Sequence, residues 1–251
     1  MRTILVTGGT GTLGRPTVTA LRAAGHDVRV LSRRSGPGLT TGDLTKGTGL
    51  RGAVNGVDTV LHLATSLGRA DITQTQHLID ALRPSGVEHL IVVSIVGIDR
   101  IPLPYYRHKL AVERLVEQSS IPYSVLRATQ FHNLIDRIFT AQRFLPVLLA
   151  PAVKLQPIAV EDVATRLTAL ATAPPTGRAP DIGGPEQHTL PALAHLWKQA
   201  AKPHRPILPV RLPGKTFRAY ARGAAIAETP PFGQKTFTDY LNDRLPSEAG
   251  K

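Results

Sequence analysis

The sequence predicts an α/β protein built on a doubly wound parallel sheet with a small C-terminal lobe. Short apolar segments typical of buried strands alternate with amphipathic helical segments through five strands, and this alternation implies parallel strands joined by right-handed crossovers. A chain of 251 residues, 42% of them hydrophobic, can bury a core of this size. We expect a core of residues 1–130, to which 156–184 return, and a lobe formed by 131–155 and 185–251.

The chain opens on an apolar strand, residues 4–6, that breaks into a glycine-rich turn with G-x-x-G-x-x-G spacing. Glycines permit the sharp turn and let backbone N–H groups approach a pyrophosphate, while the next helix offers unpaired amides and a positive dipole end. The sequence therefore predicts a dinucleotide site of the Rossmann type. The predicted contacts in the turn are Gly8, Gly11, Thr12, Leu13 and Gly14.

The context of the turn favours this interpretation over a glycine turn without a ligand. The following helix ends at Gly25, and a second strand over 28–31 completes a βαβ unit of the expected length. The face of the helix predicted to be buried is formed by Leu13, Val18, Leu21 and Ala24.

The end of the second strand indicates which dinucleotide would bind. Ser32, Arg33 and Arg34 stand where the adenosine ribose is expected, and no carboxylate occurs between residues 28 and 39. An acidic residue here accepts from the ribose 2′-hydroxyl of NAD, whereas arginine pairs with the 2′-phosphate of NADP. The sequence therefore favours NADP(H) over NAD(H), although two arginines on an exposed loop are also typical of a solvated surface.

A glycine-rich stretch, residues 35–57, contains a short third strand that ends near Asp43 and Leu44. We expect both residues beside the adenine. Asp43 either accepts a hydrogen bond from the adenine amino group or caps a weak helix near 46–54.

A fourth strand over 58–65 ends at Ala64 and Thr65, which should face the crevice where open α/β sheets bind ligands. His62 lies earlier in this strand and is expected to be a hydrogen-bonded core residue. A helix over 71–82 follows.

The fifth strand, 87–95, and the helix after it, 104–116, carry the residues with catalytic potential. Ser94 at the end of the strand either hydrogen-bonds a substrate carbonyl or simply terminates the strand. Tyr105 and Lys109 are four residues apart and share one helix face, so the ammonium can favour the ionised phenol and donate to a nicotinamide ribose. On spacing alone, an aromatic residue beside a solvated lysine is the favoured interpretation.

After a sixth strand, 123–126, the next loop should border the nicotinamide and present Phe131 and His132 to substrate. Ordinary packing of the following helix is an equal alternative for both residues. Farther along, Asp162 is expected to mark a helix start.

The C-terminal part of the chain is Pro-rich from residue 174. It is predicted to contain a last short strand near 181–182 and a helix over 190–201 that carries Trp197 into the core. The chain should end in a loose basic tail.

The glycine turn, the Tyr-x-x-x-Lys pair and the segment from Tyr123 to Phe131 together resemble the short-chain dehydrogenase/reductase (SDR) superfamily, specifically its atypical, NmrA-like NAD(P)-binding branch. The resemblance extends over essentially the whole chain, including segments 156–164 and 236–241. It implies a Rossmann core, NADP(H) in the crevice and a tyrosine acid/base assisted by lysine and serine. Ser94 and Tyr105 are eleven residues apart, closer than in the usual dehydrogenases, and the branch also contains members that bind the cofactor only to sense it.

Composition narrows the remaining function classes. There is no cysteine, which excludes disulfides and thiolate catalysis and suits a reducing cytoplasm. The formal net charge is +12, but Lys and Arg occur throughout the chain and aromatic residues make up only 5%, so we expect no specific nucleic-acid partner. No apolar stretch is long enough to span a bilayer and no histidine spacing suits a metal, so we expect neither a membrane partner nor a bound metal.

These observations predict an NADPH-dependent oxidoreductase that reduces a small carbonyl or activated alkene. In this hypothesis Tyr105 protonates the developing alkoxide, Lys109 lowers the pKa of Tyr105 and holds the ribose, and Ser94 orients the carbonyl. Two alternatives remain on the same scaffold. One is an NADP-occupied regulator that acts through a protein partner, and the other is a non-redox isomerase or cyclase.

Overall fold

The structure is a computed structural model that describes residues 1–201 and 204–244. Its described strands are β1 Thr3–Thr7, β2 Asp27–Ser32, β3 Leu39–Thr41, β4 Thr59–His62, β5 His89–Ile95, β6 Tyr123–Ala128, β7 Leu148–Pro151, β8 Lys154–Leu155, β9 Gly177–Arg178, β10 His188–Thr189 and β11 Ile207–Val210. Its described helices are α1 Gly14–Ala23, α2 Leu50–Val54, α3 Ala70–Leu82, α4 Pro104–Glu117, α5 His132–Ala141, α6 Val160–Thr172, α7 Leu190–Ala201, α8 Lys215–Ala221 and α9 Phe237–Arg244.

Seven strands form one parallel sheet in the order β3-β2-β1-β4-β5-β6-β9. The central strands are apolar along their whole length because helices cover both faces: Ile4, Leu5 and Val6 of β1 are all completely buried. Ile4 and Val6 pack with α1 and α6, whereas Leu5 packs with α2, α3 and α4. The predicted doubly wound Rossmann sheet is therefore confirmed.

A third apolar cluster lies beyond the sheet and forms a C-terminal lobe around Phe139 of α5, Trp197 of α7 and Phe237 of α9. Two small sheets join the parts of this lobe, since β7 pairs with β11 and β8 pairs with β10. Trp197 is buried as expected, and its indole N–H donates to the Asp136 carboxylate at 2.8 Å.

Several local predictions need correction. The strand expected near 181–182 is instead β9, and Ile182 makes only an isolated bridge to Ala128, because one extra residue between β9 and Ile182 shifts the register with β6. Ala24 of the predicted buried helix face is exposed, and Thr17 is buried in its place because its hydroxyl donates to the Leu13 carbonyl at 2.8 Å.

Asp162 lies in the first turn of α6 but makes no side-chain cap there. Its carboxylate instead accepts the N–H groups of Gln234 and Lys235 at 3.0 and 3.3 Å. Asp162 therefore fastens the segment that precedes α9. Residues 237–241 of the segment 236–241 lie in α9. The end of the predicted tail, 245–251, lies outside the described residues.

Candidate functional site

The glycine turn brings backbone into contact with backbone at three points. Gly8 has a φ of +67°, and a Cβ atom there would lie 2.7 Å from the Ala64 nitrogen. A Cβ at Gly14 would lie 2.1 Å from the Gly8 carbonyl oxygen, and the Gly11 N–H donates to the same oxygen at 2.9 Å. Thr12 and Leu13 complete the turn, and α1 begins directly after them without a side-chain cap or an acidic residue in its first turn. The amino end of α1 is thus free of negative side chains that would compete with a phosphate.

The residues predicted at the adenosine ribose follow β2 directly. Arg33 and Arg34 are exposed, and the Ser32 hydroxyl accepts the Arg34 N–H at 3.0 Å. A cavity of about 420 Å³ lies between the glycine turn and the loop before β3, and two further arginines line it, Arg15 and Arg22.

Sequence reasoning missed Arg15 and Arg22. Arg15 donates through Nε to the Thr10 carbonyl at 2.9 Å, which holds its guanidinium at the glycine turn. The signal that could have revealed them is their spacing, because residues seven apart lie on one face of a helix.

The two residues predicted beside the adenine make contacts within the protein. Asp43 accepts the N–H groups of Thr45 and Lys46 at 2.8 and 3.3 Å, so it caps a turn that precedes α2 and not α2 itself. Leu44 packs beside the apolar cluster on the α2–α3 side of the sheet, and its carbonyl lies 2.8 Å from Nδ1 of His77.

The carboxyl end of β4 lies beside the glycine turn. The Ala64 N–H donates to the Thr7 hydroxyl at 3.2 Å, and this hydroxyl also lies 2.8 Å from Nδ1 of His62. Nε2 of His62 lies 3.1 Å from the Thr75 hydroxyl, so His62 is a hydrogen-bonded core residue as expected. Burial, followed by the charge of Lys109, lowers the pKa of His62 to about 4, so the ring is neutral at neutral pH.

Asp71, in the first turn of α3, organises the loop after β4, and sequence reasoning missed it. Its buried carboxylate accepts the Thr65 hydroxyl at 2.6 Å and both the N–H and the hydroxyl of Ser66 at 2.5 Å. Leu67, the next residue, has a φ of 58°, which an L side chain rarely adopts. The Asp71 bonds therefore hold a strained loop at the edge of the crevice.

Tyr105 and Lys109 lie one turn apart on α4, at the same crevice. The Tyr105 phenol is half-buried, and burial raises its pKa, partly offset by its hydrogen bond with the Thr65 hydroxyl; the Asp71 carboxylate raises the pKa further. Lys109 is buried, and its Nζ donates to the Val93 carbonyl of β5 at 2.8 Å. Burial thus decides the direction of the Tyr105 pKa shift in this arrangement, and the expectation that Lys109 lowers this pKa stays a prediction.

Three buried polar side chains at the carboxyl edge of the sheet have no hydrogen-bond partner among the described residues. They are the Ser94 hydroxyl at the end of β5, the Gln130 amide in the loop after β6 and the His132 ring at the start of α5. Buried polar groups are nearly always hydrogen-bonded, so such groups beside a crevice indicate a missing ligand. Sequence reasoning identified Ser94 but not Gln130, whose only sequence signal is its place in this loop.

Phe131 and His132 are not both at the crevice. Phe131 is partly buried against the apolar cluster that contains α1 and α6. His132 has no exposed surface, and its ring packs against Phe237 and Tyr240 of α9 with centroid distances of 5.7 and 5.5 Å. The prediction that His132 contacts substrate is therefore wrong for this conformation, because α9 covers the ring.

Comparisons with known proteins agree with this geometry. A family model described as NAD(P)H-binding matches residues 8–174, from the first glycine of the turn to just beyond α6. The chain belongs to this NAD(P)H-binding family. The expected NAD(P)-binding family is thereby confirmed.

Among curated relatives, the photosystem II assembly factor Ycf39 of Trieres chinensis is 29% identical over 147 residues, which cover 52% of this chain and 46% of that protein. The chloroplastic divinyl chlorophyllide a 8-vinyl-reductase of Oryza sativa subsp. indica is 28% identical over 228 residues, which cover 75% and 56% of the two chains. The chain spans about half the length of the curated relatives it matches.

Among solved structures, an NADPH-dependent quinone oxidoreductase from Escherichia coli, solved in complex with NADPH, superposes with a TM-score of 0.81 at 18% identity. The match covers 96% of this chain and 99% of that one, so it shows a shared fold over the whole length. Within the residues that the structure describes, no helix combines the length and the apolar character needed to cross a bilayer.

Proposed function

We propose that this protein is an NADPH-dependent reductase of a small carbonyl compound or activated alkene, with Tyr105 as the proton donor. The observation that carries the proposal is a continuous series of contacts from the glycine turn to the phenol. Gly8 packs on Ala64, and the next residue, Thr65, is close enough to Tyr105 to influence the pKa of its phenol. A dinucleotide held by the turn would thus place its nicotinamide near the Tyr105 phenol, the proposed acid.

The raised pKa of Tyr105 supports a role as acid in the direction of reduction. A phenol that remains protonated at neutral pH can donate its proton as negative charge develops on a substrate oxygen. The Thr65 hydroxyl beside the phenol donates to the Asp71 carboxylate at 2.6 Å, so the loop next to the proton donor is held in place. Bound NADPH would supply the hydride.

Lys109 and Ser94 fit supporting roles at the same edge. The Lys109 ammonium is kept close to the carboxyl end of β5 by its bond to Val93, where it can donate further hydrogen bonds to a ribose hydroxyl. The Ser94 hydroxyl, which has no partner within the described residues, is available to orient a substrate carbonyl.

The preference for NADPH over NADH rests on the cationic surroundings of the expected ribose position. No acidic residue lies between residues 28 and 39, and the Asp43 carboxylate beyond β3 accepts N–H groups of its own turn. Arg15 and Arg22 line the adjoining cavity and add positive charge that a 2′-phosphate would neutralise.

The activity is tested by steady-state oxidation of NADPH over a panel of quinones, aldehydes and enones. Tyr105→Phe should slow turnover by roughly 10²–10⁴-fold while leaving NADPH affinity nearly unchanged. The matched control is Tyr106→Phe, because Tyr106 is buried against Tyr220 with the two hydroxyl oxygens 2.9 Å apart. Lys109→Ala should weaken both turnover and NADPH binding.

Equal turnover in wild type and Tyr105→Phe, on a substrate that wild type reduces well, would refute the assignment of the acid. Tight NADPH binding without turnover on any substrate would instead favour a sensor that acts through a protein partner. That second candidate is supported by the assembly-factor name of the Ycf39 relative, which matches about half of each chain.

The cofactor preference is tested by calorimetric titration with NADPH and NADH. Arg33→Asp should erase a preference on the order of 1.5–3 kcal/mol, the range for a charge-assisted hydrogen bond to phosphate. Arg51→Asp on α2, outside the residues that line the cavity, is the control and should leave the preference intact. Equal wild-type affinities for the two cofactors would overturn the proposal.

A further inference from the structure

The positive charge of the protein is concentrated in the C-terminal lobe. Residues 137–160 and 187–227 contain ten of the thirty Lys and Arg residues and not one Asp or Glu. The two segments are adjacent in space because β7 pairs with β11 and β8 pairs with β10. No lysine or arginine from either segment takes part in the ion pairs found among residues 1–201 and 204–244. These two segments therefore carry a large positive charge that no acidic residue within them neutralises.

Exposed apolar side chains occur in the same two segments. Leu149 of β7 and Leu208 of β11 are opposite one another in the parallel ladder, and they are 37% and 48% exposed. Leu148 and Ala150, which flank Leu149 in β7, are completely buried, so β7 buries one face and leaves Leu149 in solvent. Phe144, just before β7, is 82% exposed.

The loop that carries Phe144 is held by hydrogen bonds. The Gln142 side chain accepts the Leu149 N–H at 2.8 Å and donates to the Leu149 carbonyl at 3.2 Å. The Arg205 guanidinium donates to the carbonyls of Gln142 and Leu145. The Arg143 guanidinium lies 4.6 Å from the centre of the Phe144 ring. The exposure of Phe144 is thus a fixed feature of the lobe.

We propose that this basic–apolar face, formed by Arg143, Phe144, Leu149, Leu208, Arg211 and Leu212, docks on an anionic membrane surface. Arginines beside projecting aromatic and aliphatic side chains are the combination that binds anionic lipid headgroups and inserts shallowly among the acyl chains. This inference revises the expectation, drawn from the lack of an apolar stretch long enough to span a bilayer, that no membrane takes part.

Other occupants fit the face less well. A second copy of the chain would bring two strongly positive lobes together, which is unfavourable. Single-stranded nucleic acid would need aromatic platforms for base stacking, whereas the face presents three leucines and one phenylalanine. An anionic lipid surface satisfies both the charge and the aliphatic side chains.

The test is co-sedimentation of the full-length protein with lipid vesicles at low and physiological salt. Vesicles of phosphatidylcholine with about one-third phosphatidylglycerol should bind the protein, and vesicles of phosphatidylcholine alone should bind it weakly. Arg143→Gln and Arg211→Gln should each lower the partition coefficient roughly fivefold. Phe144→Ser should lower it roughly tenfold because the inserted ring is lost. Arg114→Gln, at an exposed position of α4, is the matched charge control and should bind like wild type.

Three outcomes would overturn the proposal. The first is equal binding to neutral and anionic vesicles, and the second is no vesicle binding at low salt. The third is binding to DNA or RNA that the arginine variants lose and Phe144→Ser retains, which would assign the face to nucleic acid. Thermal unfolding of each variant checks that the substitutions, all at exposed positions, leave the fold intact.

Discussion

Substituting Gly14 by alanine tests whether the glycine turn needs glycine for close packing or only for flexibility. Gly14 begins α1, and its φ does not require glycine. A flexible residue at a helix start would be stabilised by alanine, which has the higher helix propensity. The structure predicts the opposite, because an alanine Cβ would meet backbone atoms of the turn.

The size of the effect follows from the distances. The added Cβ would lie 2.1 Å from the Gly8 carbonyl oxygen and 2.6 Å from the Gly9 Cα, whereas ordinary contacts begin at 3.4 Å. Relief requires α1 to move from β1 by about 1 Å, and no side-chain rotation can substitute for this movement. We expect a loss of about 3 kcal/mol in the free energy of unfolding, at the upper end of overpacking effects.

The assay is urea unfolding followed by circular dichroism, together with NADPH titration of each folded variant. Gly52→Ala in α2 is the matched control, since its Cβ would meet no atom within 4 Å; it should stabilise by about 0.5–1 kcal/mol. Gly11→Ala, whose Cβ would lie 3.2 Å from the Gly8 oxygen, should fall between the two and remains measurable if Gly14→Ala does not fold. A Gly14→Ala variant as stable as wild type, with unchanged NADPH affinity, would refute the reasoning.

The remaining predictions concern buried charges and protons. Glu113→Gln should cost about 1.5–3 kcal/mol in urea unfolding, because Arg127, bound bidentately to Glu113 at 2.9 and 2.7 Å, would keep only the Asp99 carboxylate at 3.2 Å as an ion-pair partner. Asp80→Asn, which breaks an exposed pair, should cost less than about 1 kcal/mol. A cost for Glu113→Gln as small as that of Asp80→Asn would contradict the first value. The pKa of His62 is depressed in the folded protein, so the neutral ring contributes fully to the free energy of unfolding above pH 6.5, and this contribution decreases as the pH falls towards 4. Unfolding measured from pH 7 to pH 4 should therefore lose about 3 kcal/mol more stability in wild type than in His62→Gln, and equal losses would contradict the shift.

Much of the fold was predictable because its signals are local. The continuous apolar strands, the glycine after α1 and the proline that opens α4 each report on neighbouring residues, and the structure has all three. The alternation of strands and helices then determines the parallel sheet, since crossovers have one hand. The glycine turn is also a local signal, because the spacing of its glycines is what allows backbone segments to approach one another closely.

What the sequence did not reveal depends on contacts between distant residues. Nothing near His132 in the chain indicates that α9, more than one hundred residues later, covers its ring. Asp71 looks like an ordinary acidic residue at a helix start, and its role appears only when the loop after β4 folds back onto it. The pKa of Tyr105 also depends on distant residues. The spacing predicts that Lys109 lowers this pKa, whereas burial of the phenol, a property of the assembled crevice, raises it.

The charge of the protein illustrates the same difference at a larger scale. Along the chain, Lys and Arg are dispersed, and +12 looks like a property of the whole molecule. Once β7 pairs with β11, two acid-free segments become one surface, and the strand pairing that joins them also aligns Leu149 with Leu208. A dispersed charge would predict general, salt-sensitive adhesion to any polyanion. A charge located beside aligned apolar side chains predicts that binding depends on both the charge and the apolar side chains. Phe144→Ser leaves the net charge unchanged, so its loss of binding would distinguish the two explanations.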